Sequence, residues 1–133
     1  MILSDIIVTV DMSGTQQIVQ YVIVRSDLIK TLSWPVGALI AQACHASTAA
    51  IHLYYHHEDT IAYLRDLDNM HKIVLEVKSE VELGKLGQKL TDSQIDHKMW
   101  VEQPENFPTC LAVRPYPKNK IQKFFKGLKL YKG

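Results

Sequence analysis

The stretch from Gln20 to Ala38 restricts the folds open to this chain more than any other, because it passes from a strand signal directly into a helix signal. Gln20-Tyr-Val-Ile-Val-Arg-Ser26 is short, β-branched and aromatic. Side chains of that kind pack well on a pleated, buried surface. Asp27 to Ser33 reads as a loop. At Ser33-Trp34-Pro35 a helix start is signalled: Ser can cap orphan amides, and Pro is tolerated in a first turn where no amide partner is needed. The helix then runs from about Val36 to His56, with Ala at positions that permit close approach to a sheet. Ahead of this unit, residues 1 to 12 can add a strand, with Ser13-Gly14 as a turn.

The rest of the chain repeats the alternation. Asp59 to Leu67 has Ile61, Leu64 and Leu67 about one turn apart and reads as a second, shorter helix. Lys72-Ile-Val-Leu-Glu-Val-Lys78 is the next strand. Ser79 followed by Glu82 has capping-box spacing and opens a helix with an apolar stripe of Val81, Leu83, Leu86 and Leu90, although Gly84 and Gly87 weaken it. Lys98 to Gln103 and Thr109 to Arg114 read as two strands, and the short connection between them makes them an antiparallel hairpin. Pro115-Tyr-Pro117 breaks the chain, and Ile121, Phe124, Phe125 and Leu128 mark a final amphipathic helix. The order β-α-α-β-α-β-β-α implies an α/β fold with a mostly parallel sheet covered on both faces and one antiparallel strand from the hairpin.

A length of 133 residues suits one domain. No apolar run approaches the roughly 18 residues of a membrane helix, since Gln42, His45, Ser47 and Thr48 interrupt the Ala-rich stretch. A membrane partner is not expected. The N-terminus has no basic region ahead of a long apolar one, so a secretory signal is not expected either. Cys44 and Cys110 form neither a disulfide framework nor a CxxC pair, which points to a reducing, cytoplasmic setting.

The 15 Lys and Arg against 14 Asp and Glu leave a net charge of +1, which says little about partners. Their distribution says more. All acids lie at or before Glu105, while Arg114, Lys118, Lys120, Lys123, Lys126, Lys129 and Lys132 follow without a single acid. Lys120, Lys123 and Lys126 recur every three residues, and such a stripe favours RNA phosphates in a salt-dependent way. The alternative is a solvated helix face.

Candidate chemistry gathers at the first strand-helix junction. Ligands of α/β sheets tend to bind at the carboxyl ends of strands. Here that end carries Arg25 and Asp27 and leads to a helix start near Val36, whose amides favour a phosphate or an oxyanion. No P-loop or GxGxxG is present. Gln42 and His45 share a helix face and either satisfy buried groups or point into a site. His52 and His56 have a spacing that can hold zinc, but no third ligand has a distinctive spacing to them, and no metal is expected. Glu102 and Thr109 flank the hairpin turn, where a carboxylate and a hydroxyl can hold or activate a water, or merely tie the hairpin together. Cys110 alternates with Thr109, should face the core, and has no identifiable base beside it.

Four motifs in order, Arg25-Ser-Asp27-Leu28, Ala41-Gln42-Ala-Cys-His45-Ala46, Thr109-Cys-Leu-Ala-Val and Leu128-Lys-Leu-Tyr131, resemble the type II peptidyl-tRNA hydrolases of archaea and eukaryotes, most closely their divergent domain-containing branch. The resemblance covers about residues 20 to 131 and treats 1–133 as a single domain. It implies a three-layer α/β/α sandwich with a four-stranded mixed sheet, often dimeric. The implied role is in translation quality control: the ester between a peptide and the 3′ ribose of tRNA is hydrolysed without metal or organic cofactor. Carried over by position, the family aspartate falls on Glu102 and the later threonine on Thr109. The family lysine falls on Val36, which cannot act as a cation, and the hairpin lacks the family's Gly-Arg-Thr stretch. Lys30, in an enlarged loop, is the residue able to fold back and replace that charge. On this reading Glu102 and Thr109 are catalytic, Arg25, Asp27, Lys30, Gln42 and His45 bind substrate, and Lys120, Lys123 and Lys126 hold tRNA phosphates. A noncatalytic tRNA-binding or protein-interaction module is the alternative.

Overall fold

A computed structural model describes residues 17–133. The strand and turn expected before Gln17 lie outside the described residues. Strand β1 (Ile18–Arg25) occupies the middle of the sheet, as its almost wholly buried side chains require. It pairs in parallel with β2 (Lys72–Val77) and antiparallel with β4 (Phe107–Val113). Strand β3 (His97–Glu102) lies outside β4, antiparallel to it. Three of these four long strands therefore run in one direction, although only β1 and β2 are hydrogen-bonded in parallel.

The sheet has six strands rather than the four expected. The additions are two-residue segments, β5 (Tyr116–Pro117) beside β1 and β6 (Lys129–Leu130) beside β2. Neither carries enough residues for a period-2 pattern, so no sequence signal marks them.

Strict alternation along β1 feeds two cores. Val19, Tyr21 and Ile23 join Leu75, Val77, Leu111 and Val113 under Leu83, Leu86 and Leu90 of helix α4 (Glu80–Asp92), with Ile121 and Phe125 beside them. Val22 and Val24 join Cys110 and Ala112 under Leu39, Ala46 and Ala50 of helix α2 (Val36–Leu53). The result is the α/β/α sandwich. Helix α2 is long and apolar enough to cross a bilayer, contrary to the sequence expectation, but it packs along β4, β3 and β1 as a core helix.

Local signals explain most boundaries. Ser79 Oγ accepts from the Glu82 amide at 3.2 Å, and Glu82 Oε1 accepts from the Lys78 amide at 2.8 Å, so α4 has its N-terminal staple. Gly87 is explained by packing: a Cβ there would stand 3.0 Å from Met99 Cε of β3. The Ser33 cap is absent, because α2 starts directly after Pro35 with no side-chain cap and Ser33 takes a positive φ of 58°. The loop after β1 contains one helical turn, α1 (Asp27–Lys30), and the second expected helix is α3 (Glu58–Arg65).

The final amphipathic helix is the clearest difference from expectation. It is a single α-turn, α5 (Lys118–Ile121), then a 3₁₀ turn over Gln122–Phe125. Gly127 at φ 89° then redirects the chain into β6. Ile121 and Phe125 still reach the core, which is what their spacing records.

Candidate active site

The carboxyl ends of β1, β2 and β3 meet the start of β4 at one edge of the sheet. Arg25 ends β1 there and is only 4% exposed. Its Nε and NH2 donate to the two Asp27 carboxylate oxygens at 3.0 and 2.8 Å, and its NH1 donates to the Pro108 carbonyl at 2.8 Å. The guanidinium also covers the Phe107 ring at 4.8 Å. Such a forked, buried pair is a strut. Arg25 and Asp27, expected to meet substrate, instead lock β1 to the hairpin, with three Arg25 N–H groups committed to protein acceptors.

The hairpin carries an irregularity that alternation alone could not show. Trp100 pairs with Cys110 but Val101 pairs with Pro108, so Thr109 has no partner on β3. An unpaired extra residue is a β-bulge, and it re-aims side chains. Strict alternation would put Thr109 and Cys110 on opposite faces. With the bulge both turn to α2, where Thr109 Oγ1 donates to Gln42 Oε1 at 3.0 Å and Cys110 Sγ donates to the Gln42 carbonyl at 3.2 Å. Burial pushes the Cys110 thiol up to about 12, which leaves no thiolate at neutral pH.

Thr109, expected to hydrogen-bond the attacking water or the substrate carbonyl, is fully buried and gives its hydroxyl to Gln42 instead. It stands behind Gln42, holding the carboxamide oxygen. Gln42 itself lines an open cleft of about 550 Å³ together with Trp34, Pro35, Ala38, Glu102, Gln103, Glu105 and Phe107. Among the described residues no acceptor pairs with Gln42 Nε2, whose partner oxygen Oε1 is held by Thr109. Glu102 is half-buried and accepts from Trp100 Nε1 at 3.3 Å. Trp100 in turn stacks on His45 with ring centroids 4.7 Å apart. His45 therefore acts through Trp100 and does not line the cleft. Trp34 and Phe107 stack at 5.8 Å to form an aromatic wall.

The missing cation is not restored by Lys30. Its ammonium lies 3.6 Å from Glu76, and the side chain lines a different cleft on the α4 side of the sheet. Val36, at the family lysine position, is 61% exposed and faces an apolar groove with Ile40, Cys44 and Tyr131. Of the three lysines expected to contact phosphates, Lys126 lines the same cleft as Lys30, while Lys120 and Lys123 are exposed outside it. The broken final helix removes the stripe that joined them. Among the described residues no three His, Cys, Asp or Glu side chains converge as metal ligands. His57, next to His56, uses Nδ1 to cap α3 at the Asp59 amide, 3.0 Å away.

The fold and edge cleft define an α/β/α protein with a carboxylate and a carboxamide at the mouth of its central strands. Comparison with known proteins is specific. Residues 18–131 match the family described as "Peptidyl-tRNA hydrolase PTH2", and the chain belongs to that family. It is 51% identical over 118 residues to the mouse protein named "Putative peptidyl-tRNA hydrolase PTRHD1", covering 88% of this chain and 84% of that one. The human protein of the same name is 49% identical over the same shares. "Probable peptidyl-tRNA hydrolase 2" of Dictyostelium discoideum is 33% identical over 84% of this chain and 54% of its own length. A solved structure of the Agrobacterium protein Atu0240, of unknown function, shares the fold at 11% identity, with a TM-score of 0.57 over 86% of this chain and 98% of that one.

Proposed function

We propose that the protein hydrolyses the ester between a peptide and the 3′ ribose of tRNA, in the cleft of Glu102 and Gln42. The observation that carries this reading is the bulge at Thr109, which commits a buried hydroxyl to fixing Gln42 in the cleft that also holds Glu102, the carboxylate that accepts from the Trp100 indole. Glu102 takes a proton from water, and the resulting hydroxide attacks the ester carbonyl. Gln42 Nε2 donates to the oxyanion. Collapse breaks the bond to the ribose oxygen, which receives a proton from the Glu102 carboxylic acid. Products are tRNA with a free 3′ hydroxyl and a peptide carboxylic acid, which loses its proton to solvent to become the carboxylate. The Trp34 and Phe107 wall gives the terminal base a stacking surface. The proposed setting is clearance of peptidyl-tRNA in the cytoplasm, where the free thiols of Cys44 and Cys110 persist.

A second reading, a tRNA-binding module without turnover, is favoured by one observation: Val36 and Lys30 both leave the cleft without the family cation. Release of labelled peptide from peptidyl-tRNA separates the two. Turnover by wild type that Glu102→Gln abolishes supports hydrolysis. Equal, negligible release by both, with tRNA still bound, supports the module.

A further inference from the structure

On the α4 side of the same sheet edge lies a cleft of about 700 Å³ whose walls carry six lysines: Lys30, Lys78, Lys85, Lys89, Lys126 and Lys129. Three acids line it as well, Asp27, Glu76 and Glu82, leaving 6 − 3 = +3. Each acid has its own partner: Asp27 holds Arg25, Glu82 caps α4, and Glu76 pairs with Lys30 within the cleft. Lys78, Lys85, Lys89, Lys126 and Lys129 have no carboxylate within 4.0 Å among the described residues.

The placement follows from the fold rather than from a stripe. Lys85 and Lys89 are one turn apart on the exposed face of α4. Gly127 turns the chain so that Lys126 and Lys129 form the facing wall, with Lys129 paired opposite Glu76 in β6. Between the walls are Leu86, Phe124 and Leu128. Lys89 Nζ lies 3.5 Å from the Phe124 carbonyl and 6.0 Å from its ring, which ties one wall to the other. Like charges brought together without counter-ions repel, and a concave site of one sign focuses its field on an anion. A flat lipid surface cannot reach lysines on both sides of a cleft, whereas a phosphodiester chain can lie along it.

We propose that this cleft binds the phosphodiester backbone of the tRNA acceptor arm whose 3′ end occupies the Glu102 cleft. The inference rests on the hydrolase reading for the identity of the RNA. The two clefts meet at the Arg25–Asp27 strut: Asp27 lines the lysine cleft, and Arg25 covers Phe107, which lines the other. The principal phosphate contacts thus come from Lys85, Lys89, Lys126 and Lys129, from two separate elements.

The test is binding of labelled deacylated tRNA across a salt series, together with kcat/KM on peptidyl-tRNA. Lys85→Glu/Lys89→Glu is expected to weaken binding at least about tenfold and reduce the salt slope by about 2, with a smaller loss for Lys120→Glu/Lys123→Glu. Lys85→Ala/Lys89→Ala should show the same direction with a smaller effect. Unchanged affinity and slope in both α4 pairs would overturn the inference while leaving hydrolysis standing. Displacement of tRNA by inorganic phosphate at matched ionic strength, as complete as by unlabelled tRNA, would also overturn it in favour of a free-phosphate site. Wild-type binding with the expected lysine dependence but no hydrolysis would support the cleft and sink the hydrolase reading alone.

Discussion

The two clefts at the strand ends are built in opposite ways. Around Glu102 the central side chains are held by others: Thr109 holds Gln42, Trp100 aims Glu102, His45 supports Trp100, and Arg25 clamps the hairpin to β1. Around Lys85 and Lys89, exposed side chains on flexible stems share a space and most have no partner. The first arrangement suits bond-making, where sub-ångström placement sets the rate. The second suits attraction of a polyanion, where charge density counts and geometry does not. Substitutions should therefore separate chemistry from affinity.

The sharpest separation is Glu102→Gln, expected to lower the rate of peptide release by about 10² to 10⁴ while tRNA affinity stays within about twofold. Loss of affinity of the same size would merge the two clefts into one. Arg25→Leu comes next. It leaves Asp27 and the Pro108 carbonyl without their donors, and urea unfolding followed by circular dichroism should show a loss of about 3 kcal/mol. A smaller test is Thr109→Val, which keeps the shape and removes the hydroxyl. A positioning role predicts that kcat falls about tenfold with KM nearly unchanged, and that Thr109→Ser restores it. A change in KM alone would make Thr109 a binding residue despite its burial.

The buried and exposed thiols offer a further contrast. With Cys110 buried and its thiol raised to about 12, maleimide at neutral pH should label one thiol in the native protein, Cys44, and two in denaturant. Rapid labelling of both in the native state would contradict the packing of the hairpin against α2. The same shift makes stability depend on alkaline pH. The folded thiol keeps its proton up to about 12, while the unfolded one loses it near 9.0, so the contribution is complete below pH 9 and is lost as pH rises toward 12. Tyr63, raised by burial from 10.0 to about 12, acts in the same direction from about pH 10. Cys110→Ala should flatten the part of the decline that begins below pH 10.

What the residues disclose by themselves follows their physical range. Periodicity and caps locate β1, β2, α2, α3 and α4 within a few residues, because those signals act within one element. Glu102 and Gln42 were legible as candidates, one at a strand end and one on a helix face. The direction of Thr109 was not, because it depends on a one-residue mismatch between two strands. Nor was the bracing role of Arg25, since one of its acceptors, Pro108, lies 83 residues away. Lys126 emerged from the charge run, but Lys85 and Lys89 did not, since they lie in the acidic part of the sequence and meet the basic tail only through the fold. The final helix misled because Ile121 and Phe125 have helical spacing, while Gly127 and the pairing of β6 end it early.

The central claim is that the fixed cleft performs hydrolysis and the lysine cleft holds the RNA. Single-turnover cleavage of peptidyl-tRNA by wild type, Glu102→Gln and Lys85→Glu/Lys89→Glu at saturating protein tests it most directly. The expected result is cleavage by wild type, loss of cleavage in Glu102→Gln, and near wild-type cleavage in the lysine pair once protein is raised enough to saturate. Equal cleavage by wild type and Glu102→Gln, or a lysine variant that stays slow at saturation, would contradict it.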